Sequence, residues 1–547
     1  MTQRFKMFTE TLCISLSLTI DAKTYEIPRG AIKNVRLNLT STGFKGKINF
    51  IMTTEKKESP FFLQFIKPTL IQCKLSVSGI FHQPDPQPDP LHIQGIVMEK
   101  SVREATFEKV DDSPIMYYDY EIELQDAPRT LWSQHYPIKL YTQEKMSNVI
   151  TDNSVSWALP IMEWPELEKM HEHICLALGN DKGCASFYDF VMWYTRSRGG
   201  VCYYDYAQQG LKLASEKQTD VAVTTLDRYD IKAHRLVIPE TIRHHIRIHN
   251  SSTVIHNSST VIHNTVDLPQ DEAVEGITHD RITRTDIAND MIVLKQRQRK
   301  HLDLLHNEIR LKFKQFPPKT FVVGSLVKFS REKWYKNISF NDGTFRVYSI
   351  YFHAKALQQT TESGINAAQA DYEVNMHAKL EEKENPARIF PAFITPQYPL
   401  PVEGKIISEV GEKPDKTYQI YTSEKTSQEY YHVKIPLWDL DIKMPFITDI
   451  TTGHYFFPAF RDTRILVDLF LHTADINRFL DWGEGTRLPM DTQGNHILFG
   501  KNNVSQTSMK YLYEENLPVF SIKRTSQKDT ELIQMSEDSI VLQTKEE

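Results

Sequence analysis

Short stretches in which apolar and polar residues alternate recur along almost the whole chain, and this two-residue period limits the fold more than any other feature. "LCISLSLTI" (12–20) places Leu12, Ile14, Leu16, Leu18 and Ile20 on one side of an extended segment and Cys, Ser and Thr on the other. That is the pattern of a strand with one buried face. "TYEIP", "NVRLNLTS", "GKINFIMTT", "TLIQCKLSVSG", "LHIQGIVMEKSV" and "YYDYEIELQ" repeat it through residues 1–145, separated by turn residues, so a barrel or sandwich is expected there. The same pattern closes the chain. In "ELIQMSEDSIVLQTKEE" (531–547), Ile533 and Met535 alternate with polar neighbours, Ser-Glu-Asp-Ser intervenes, and Ile540 and Leu542 alternate again. Two strands alone are marginal in water, so this face requires cover from the rest of the chain or from other copies of it.

The period changes between about 146 and 312. "EWPELEKMHEHICLAL" (163–178) and "ASFYDFVMWYTRSRGG" (185–200) carry helical spacing, the second ending on glycines as helices often do. "VCYYDYAQQGLKLAS" (201–215) returns to strands and a turn, and "DIANDMIVLKQRQRKHLDLLHNEIRLKFKQF" (286–316) reads as a long charged helix stopped by Pro317 and Pro318. Residues 319–389 are β again, 390–485 form a further β module, and 486–547 are polar with isolated alternating runs and no core of their own. "HQPDPQPDP" (82–90) is a proline-rich loop that cannot join a ladder. "IHNSSTVIHNSSTVIHN" (248–264) copies one heptapeptide, too few repeats for a solenoid, and is expected to be a duplicated loop or a strand extension.

At 547 residues the chain exceeds one ordinary core. With 40% hydrophobic and 24% charged residues it has the make-up of a folded protein, and its net charge of −6 supplies no overall basic field for nucleic acid. Five cysteines without C-x-x-C spacing point away from a disulfide framework and toward a reducing compartment. The alternation of residues 12–20 argues against a signal peptide, and the sequence lacks any run of about 18 apolar residues that could span a membrane as a helix.

Residues of catalytic or ligating type are present but poorly arranged. His171, His173, Cys175 and Cys184 could ligate zinc, yet on a helix positions i and i+2 point to different faces. His249, His256 and His263 recur every seven residues without a specified geometry. Asp481 and Glu484 supply two carboxylates, as a glycosidase needs, but such pairs are commonplace on turns. The aromatics of "YYDYA" (203–207) and "YYHVKIPLW" (430–438) could stack bases or sugars, although strand aromatics are more often core. The expectation is no catalytic residue, no metal and no cofactor.

Taken in order, the modules resemble one family: VgrG, the fused hub and spike of type VI secretion and of contractile phage tails. "QGIV" (94–97) and "YYDYEIELQDAPRTLW" (117–132) resemble its first hub barrel, and "ASFYDFVMWYTRSRGGVCYYDY" (185–206) its helix-to-strand segment, with Arg196 shifted and Gly-Gly in place of an acidic-Gly pair. "KTFVVGSLVKFS" (319–330), "RVYSIYFHAK" (346–355) and "YEVNMHAKLEEKENPARIFP" (372–391) resemble the second hub barrel. "PVEGKIISEVGE" (401–412), "YYHVKIPLWD" (430–439) and "PAFRDTRILVDLFLHTADINRFL" (458–480) resemble the OB-fold module. Where the family reads G-D-P-D-R-P, this chain has "HTADINRFLD" (472–481), keeping Asp475 and Arg478 without the prolines.

The resemblance implies a mainly β fold with an α/β portion: a first hub β-barrel (1–145), an α/β region with a long helix (146–318), a second hub β-barrel (319–389), an OB-fold module (390–485), and a neck with the start of a short trimeric β-prism (486–547). It implies a structural, non-enzymatic homotrimer at the tip of a contractile injection machine, with Ile533, Met535, Ile540 and Leu542 lining the prism axis. Implied partners are an inner tube protein, baseplate proteins, a PAAR-type tip protein, effectors and, transiently, a target membrane. Folding in a bacterial cytoplasm before assembly and delivery is expected, without nucleic acid. Two other classes compete: an OB-containing module that binds nucleic acid or glycan, which needs a basic groove with exposed aromatics, and an enzyme that degrades envelope polymers, which needs a carboxylate pair in a cleft.

Overall fold

The alternation of residues 12–20 becomes the strand Phe8–Ile20, in which Leu12, Ile14, Leu16, Leu18 and Ile20 are buried. This computed structural model describes residues 8–54, 60–80, 90–106, 116–179, 185–219, 221–238, 243–251, 265–268, 273–284, 291–296, 307–317, 321–330, 343–358, 367–385, 389–407, 420–424, 429–446, 459, 461–481, 494–502 and 505–546. They are mainly strands with short helical segments. The chain divides into two compact units, one of Met1–Tyr136, Ile150–Leu167 and Ala185–Thr395, the other of Pro137–Val149, Glu168–Cys184 and Pro396–Glu547.

In the first unit, thirteen strands form one sheet among the described residues. Eight of them make a ring in the order Thr344–Ala356, Ile32–Thr40, Gly43–Thr54, Met116–Gln125, Leu91–Thr106, Ile71–Gly79, Phe8–Ile20 and Ala370–Glu382, the last pairing back onto the first. Closure leaves this ring without an open edge. Thr344–Ala356 and Ala370–Glu382, 13 residues each, are longer than one ring needs. Their other ends pair with Leu326–Phe329 and Glu308–Phe313, which in turn pair with Val223–Leu226 and Ile231–Val237. The strands expected to form a separate barrel between 319 and 389 therefore also complete the first ring, and both sets share one apolar core.

Two helix expectations fail here for the same reason. Residues 291–296 are helical, but Glu308–Phe313 is a strand whose Ile309, Leu311 and Phe313 are buried while Glu308, Arg310 and Lys312 face outward. A period of two, sheltered by pairing on both sides, wins over the charged helix-like composition. Likewise 163–178 is not one helix: Pro165–Glu168 is a single 3-10 turn and Met170–Ala177 a strand. The helix expected at 185–200 is present as Phe187–Arg198, started by a capping box between Ser186 and Asp189. It ends on Gly199 at φ 74°. A Cβ at Gly200 would sit 2.7 Å from the Trp164 ring, so the second position of the pair admits only glycine, while the left-handed backbone at the first, Gly199, favours glycine over an acidic residue.

In the second unit the antiparallel strands Leu400–Ile407, Glu429–Ile435, Leu440–Pro445, Arg464–Leu469 and Ala474–Asp481 form a small sheet. Its core takes in Val433, Ile435, Ile465 and Val467 together with Leu140 and Cys175. The last two belong to the antiparallel pair Ile138–Lys145 and Met170–Ala177, so residues expected to be part of the α/β region serve the 390–485 module. Cys175 N–H donates to the Leu471 carbonyl at 3.0 Å, and the Tyr398 hydroxyl donates to the Cys175 carbonyl at 2.8 Å. Where the family's prolines are missing, Ala474–Asp481 is a strand paired with Arg464–Leu469 through two bulges, which proline would interrupt.

Candidate functional site

The last described segment is a meander of five strands, Asn495–Asn502, Ser505–Glu514, Leu517–Ser526, Asp529–Ser536 and Ser539–Lys545. Its last three connections are two-residue turns, since Glu514 pairs with Leu517, Ser526 with Asp529 and Ser536 with Ser539. Glu515 and Asn516 both adopt positive φ, 51° and 67°, the backbone that such tight hairpins require.

The register decides what the sheet presents, because directly paired residues of antiparallel strands share a face. Ile497, Met509, Ile522, Ile533 and Leu542 form one continuous row across all five strands. Tyr511, Phe520, Met535 and Ile540 form the adjacent row. A third row holds Phe499, Thr507, Arg524, Glu531 and Thr544, in which Arg524 Nη1 lies 3.0 Å from Glu531 Oε1. The charges on this face thus satisfy each other and leave an apolar surface. The opposite face is mixed: Lys510, Ser521, Gln534, Lys523 and Gln543 stand among Leu498, Leu532 and Val541, and Ser508 and Val519 are buried on that side.

The four residues singled out from sequence fall together on the apolar face. In the single chain they remain open to solvent: Ile533 40%, Met535 44%, Ile540 69% and Leu542 75% exposed. Their pairing follows the hairpin, Ile533 with Leu542 and Met535 with Ile540. Ile497, Met509, Tyr511, Phe520 and Ile522 complete the face, and the signal for them was the same alternation, interrupted by Lys, Ser and Tyr so that it resembled isolated runs. Exposed contiguous apolar surface of this kind marks an interaction site.

The other sequence candidates are dispersed or built into the core. His171 and His173 lie on a strand, not a helix, so they share a side; the His171 ring stacks on His472 at 3.9 Å, and His173 is buried with its pKa lowered by desolvation. Burial pushes the neighbouring Cys175 thiol up to about 12, the opposite of what a thiolate ligand needs. Cys184, His256, His263, Glu484 and the side chain of Asp481 lie outside the described residues. Tyr204, Tyr206 and Tyr431 are buried rather than displayed for stacking; the Tyr206 hydroxyl is 2.9 Å from both the Thr40 and Gly43 carbonyls. Arg196 lies over the Phe393 ring at 5.8 Å.

No protein-family profile and no curated protein matches the sequence. Solved structures do. A chain of the Francisella PdpA–VgrG complex in its lidded form aligns with TM-score 0.72 and 13% identity over 100% of this chain and 81% of that one. The lidless form gives TM-score 0.70 and 13% identity over 99% of both chains. An E. coli component of the type VI secretion system, described as structurally similar to the phage T4 tail proteins gp27 and gp5, aligns with TM-score 0.45 and 10% identity over 85% of this chain and 99% of that one. The chain therefore shares, over its whole length, the mainly β fold of a chain in the Francisella PdpA–VgrG complex.

Proposed function

We propose that this chain is a structural hub and spike component of a contractile, phage-tail-like injection machine, of the VgrG type and homotrimeric. The observation that carries the reading is the exposed apolar face of the terminal sheet, on a chain whose fold is that of a component of a PdpA–VgrG complex. Three such faces turned toward a common axis make a triangular prism. Closure between chains then removes the apolar exposure, with Ile533, Met535, Ile540 and Leu542 at the axis. Burying each of these side chains contributes on the order of 1 to 2 kcal/mol, enough for several together to outweigh the entropy lost on association.

Function is then mechanical. The first unit seats as part of a hub ring on an inner tube within the baseplate, the 400–481 sheet acts as an OB-type collar, and the prism points at the target envelope. The open last edge of the meander, Ser539–Lys545, suits a PAAR-type tip protein. Effectors ride on this assembly and the contracting sheath supplies the energy, so no catalytic centre is invoked.

Light scattering on the full chain and on the double variant Ile533→Asp, Leu542→Asp tests the reading. The expected result is a mass of three chains for the wild type and of one for the variant, with unchanged circular dichroism. A wild-type monomer at high concentration, or a variant that stays trimeric, sinks the prism assignment.

A further inference from the structure

The outer wall of the first unit carries a cationic ladder that the hub and spike reading leaves unexplained. On Glu308–Phe313 and over residues 370–380 the buried positions alternate with outward ones, residues 232–236 of the strand Ile231–Val237 are all exposed, and the register sets Arg235 opposite Arg310 and Arg310 opposite Lys379. Three cations thus stand side by side across three strands about 5 Å apart. The next row pairs Lys312 with His377 and His377 with Tyr351. One strand further, His353 lies opposite Arg36, with Lys355 two residues along. Like charges directly opposed on a sheet are destabilising, and a free-standing barrel gains nothing from them.

The acidic groups nearby are few and mostly committed. Glu308 pairs with Arg310 and accepts from the Tyr348 hydroxyl. Glu381 is buried and held by Lys217 at 3.0 Å and Arg346 at 3.3 Å. Lys47, beside Arg36, is taken by Glu121 and Glu123. Glu373 lies opposite Lys355 in the register, without an ion pair to it. Among the described residues no carboxylate lies within ion-pair distance of Arg235, Lys379 or Arg36. The field is felt locally: His377 is held below its ordinary pKa by burial and then by Lys312, and His353 by burial and then by Arg36 and Lys355, with Glu373 opposing.

We infer that this wall is a docking surface for an acidic polypeptide face, distinct from the terminal sheet. Charge complementarity picks the occupant. A flat wall of strands offers no helix or ribbon to enter a groove of duplex DNA. Of the two named rows and the adjoining strand, Tyr351 is the one Phe, Tyr or Trp, and His377 and His353 are half-buried, too little exposed ring area for a platform that stacks single-stranded bases. A protein partner presents carboxylates only where the ladder meets them.

The test is fluorescence anisotropy on the full chain with two probes, labelled poly-L-glutamate and a labelled DNA duplex of about 20 base pairs. Polyglutamate is expected to bind, to weaken as salt rises, and to bind roughly tenfold more weakly to the triple variant Arg36→Gln, Arg235→Gln, Lys379→Gln. Because the substitutions relieve repulsion, the melting temperature of that variant should match or exceed the wild type; should it misfold, the double variant Arg235→Gln, Lys379→Gln takes its place. Absence of polyglutamate binding, equal binding by the variant, or tighter binding of DNA than of polyglutamate overturns the proposal.

Discussion

Asp126 shows how one residue can carry a pH dependence that the sequence does not announce. It caps the helix Ala127–Trp132, accepting from Arg129 N–H at 2.9 Å, and is fully buried, so desolvation pushes its carboxyl up to about 6 against the opposing pull of that backbone hydrogen bond. The folded protein therefore keeps a proton that the unfolded chain gives up, and stability falls as pH rises from about 4 through about 6. The full difference is on the order of 3 kcal/mol. Urea unfolding followed across that window should show the decline, and Asp126→Asn should flatten it; an unchanged slope in the variant would assign the dependence elsewhere. His173 acts in the opposite sense, since a buried imidazole with a lowered pKa loses stability as pH falls below its unfolded value. None of this was legible beforehand, because Asp126 sits in "LQDAP" like any helix cap and its burial comes from strands far away in the chain.

Among the elements, those with strong local signals matched expectation and those with mixed signals did not. The helix Phe187–Arg198 has a start signal in Ser186 and Asp189, whose side chains exchange hydrogen bonds with each other's backbone, and a stop signal in Gly199. Ser186→Ala should cost about 1 kcal/mol, read as a lower denaturation midpoint with unchanged m-value; a cost near zero would mean that Asp189 alone holds the helix start. Glu308–Phe313 was hidden by its surroundings, since Lys, Arg and Glu before it favour helix and its own six residues are too few to dominate a long window. Burial of Ile309 and Leu311 against the shared core overrides that propensity. In the same way the strand Met170–Ala177 forms because Ile138–Lys145 is there to pair with it, which no local window contains.

For the molecule as a whole, the proposed burial of the exposed terminal face between copies predicts that folding and association are coupled. If three chains share the prism, the melting temperature should rise with protein concentration in the wild type. It should be independent of concentration in the Ile533→Asp, Leu542→Asp variant. Calorimetry at two concentrations about tenfold apart separates the cases, since each tenfold change corresponds to about 1.4 kcal/mol per association step; a concentration-independent wild type would mean that the face is covered by something other than a copy of this chain.

By itself the sequence determined that the protein is mainly β, which residues turn inward in strands of strict alternation such as Phe8–Ile20, where the capped helix Phe187–Arg198 lies, and that Ile533, Met535, Ile540 and Leu542 alternate with polar neighbours in the last strands. These are local properties, written in a two-residue period and in capping residues. Tertiary structure alone decided that two 13-residue strands serve both sets of the first unit, that Met170–Ala177 is a strand, that the five strands of the terminal meander align into one apolar face, and that Arg235, Arg310 and Lys379 stand in line. Each of these depends on register between segments distant or reversed in the chain, and register is set by packing and turn geometry rather than by any single stretch of residues.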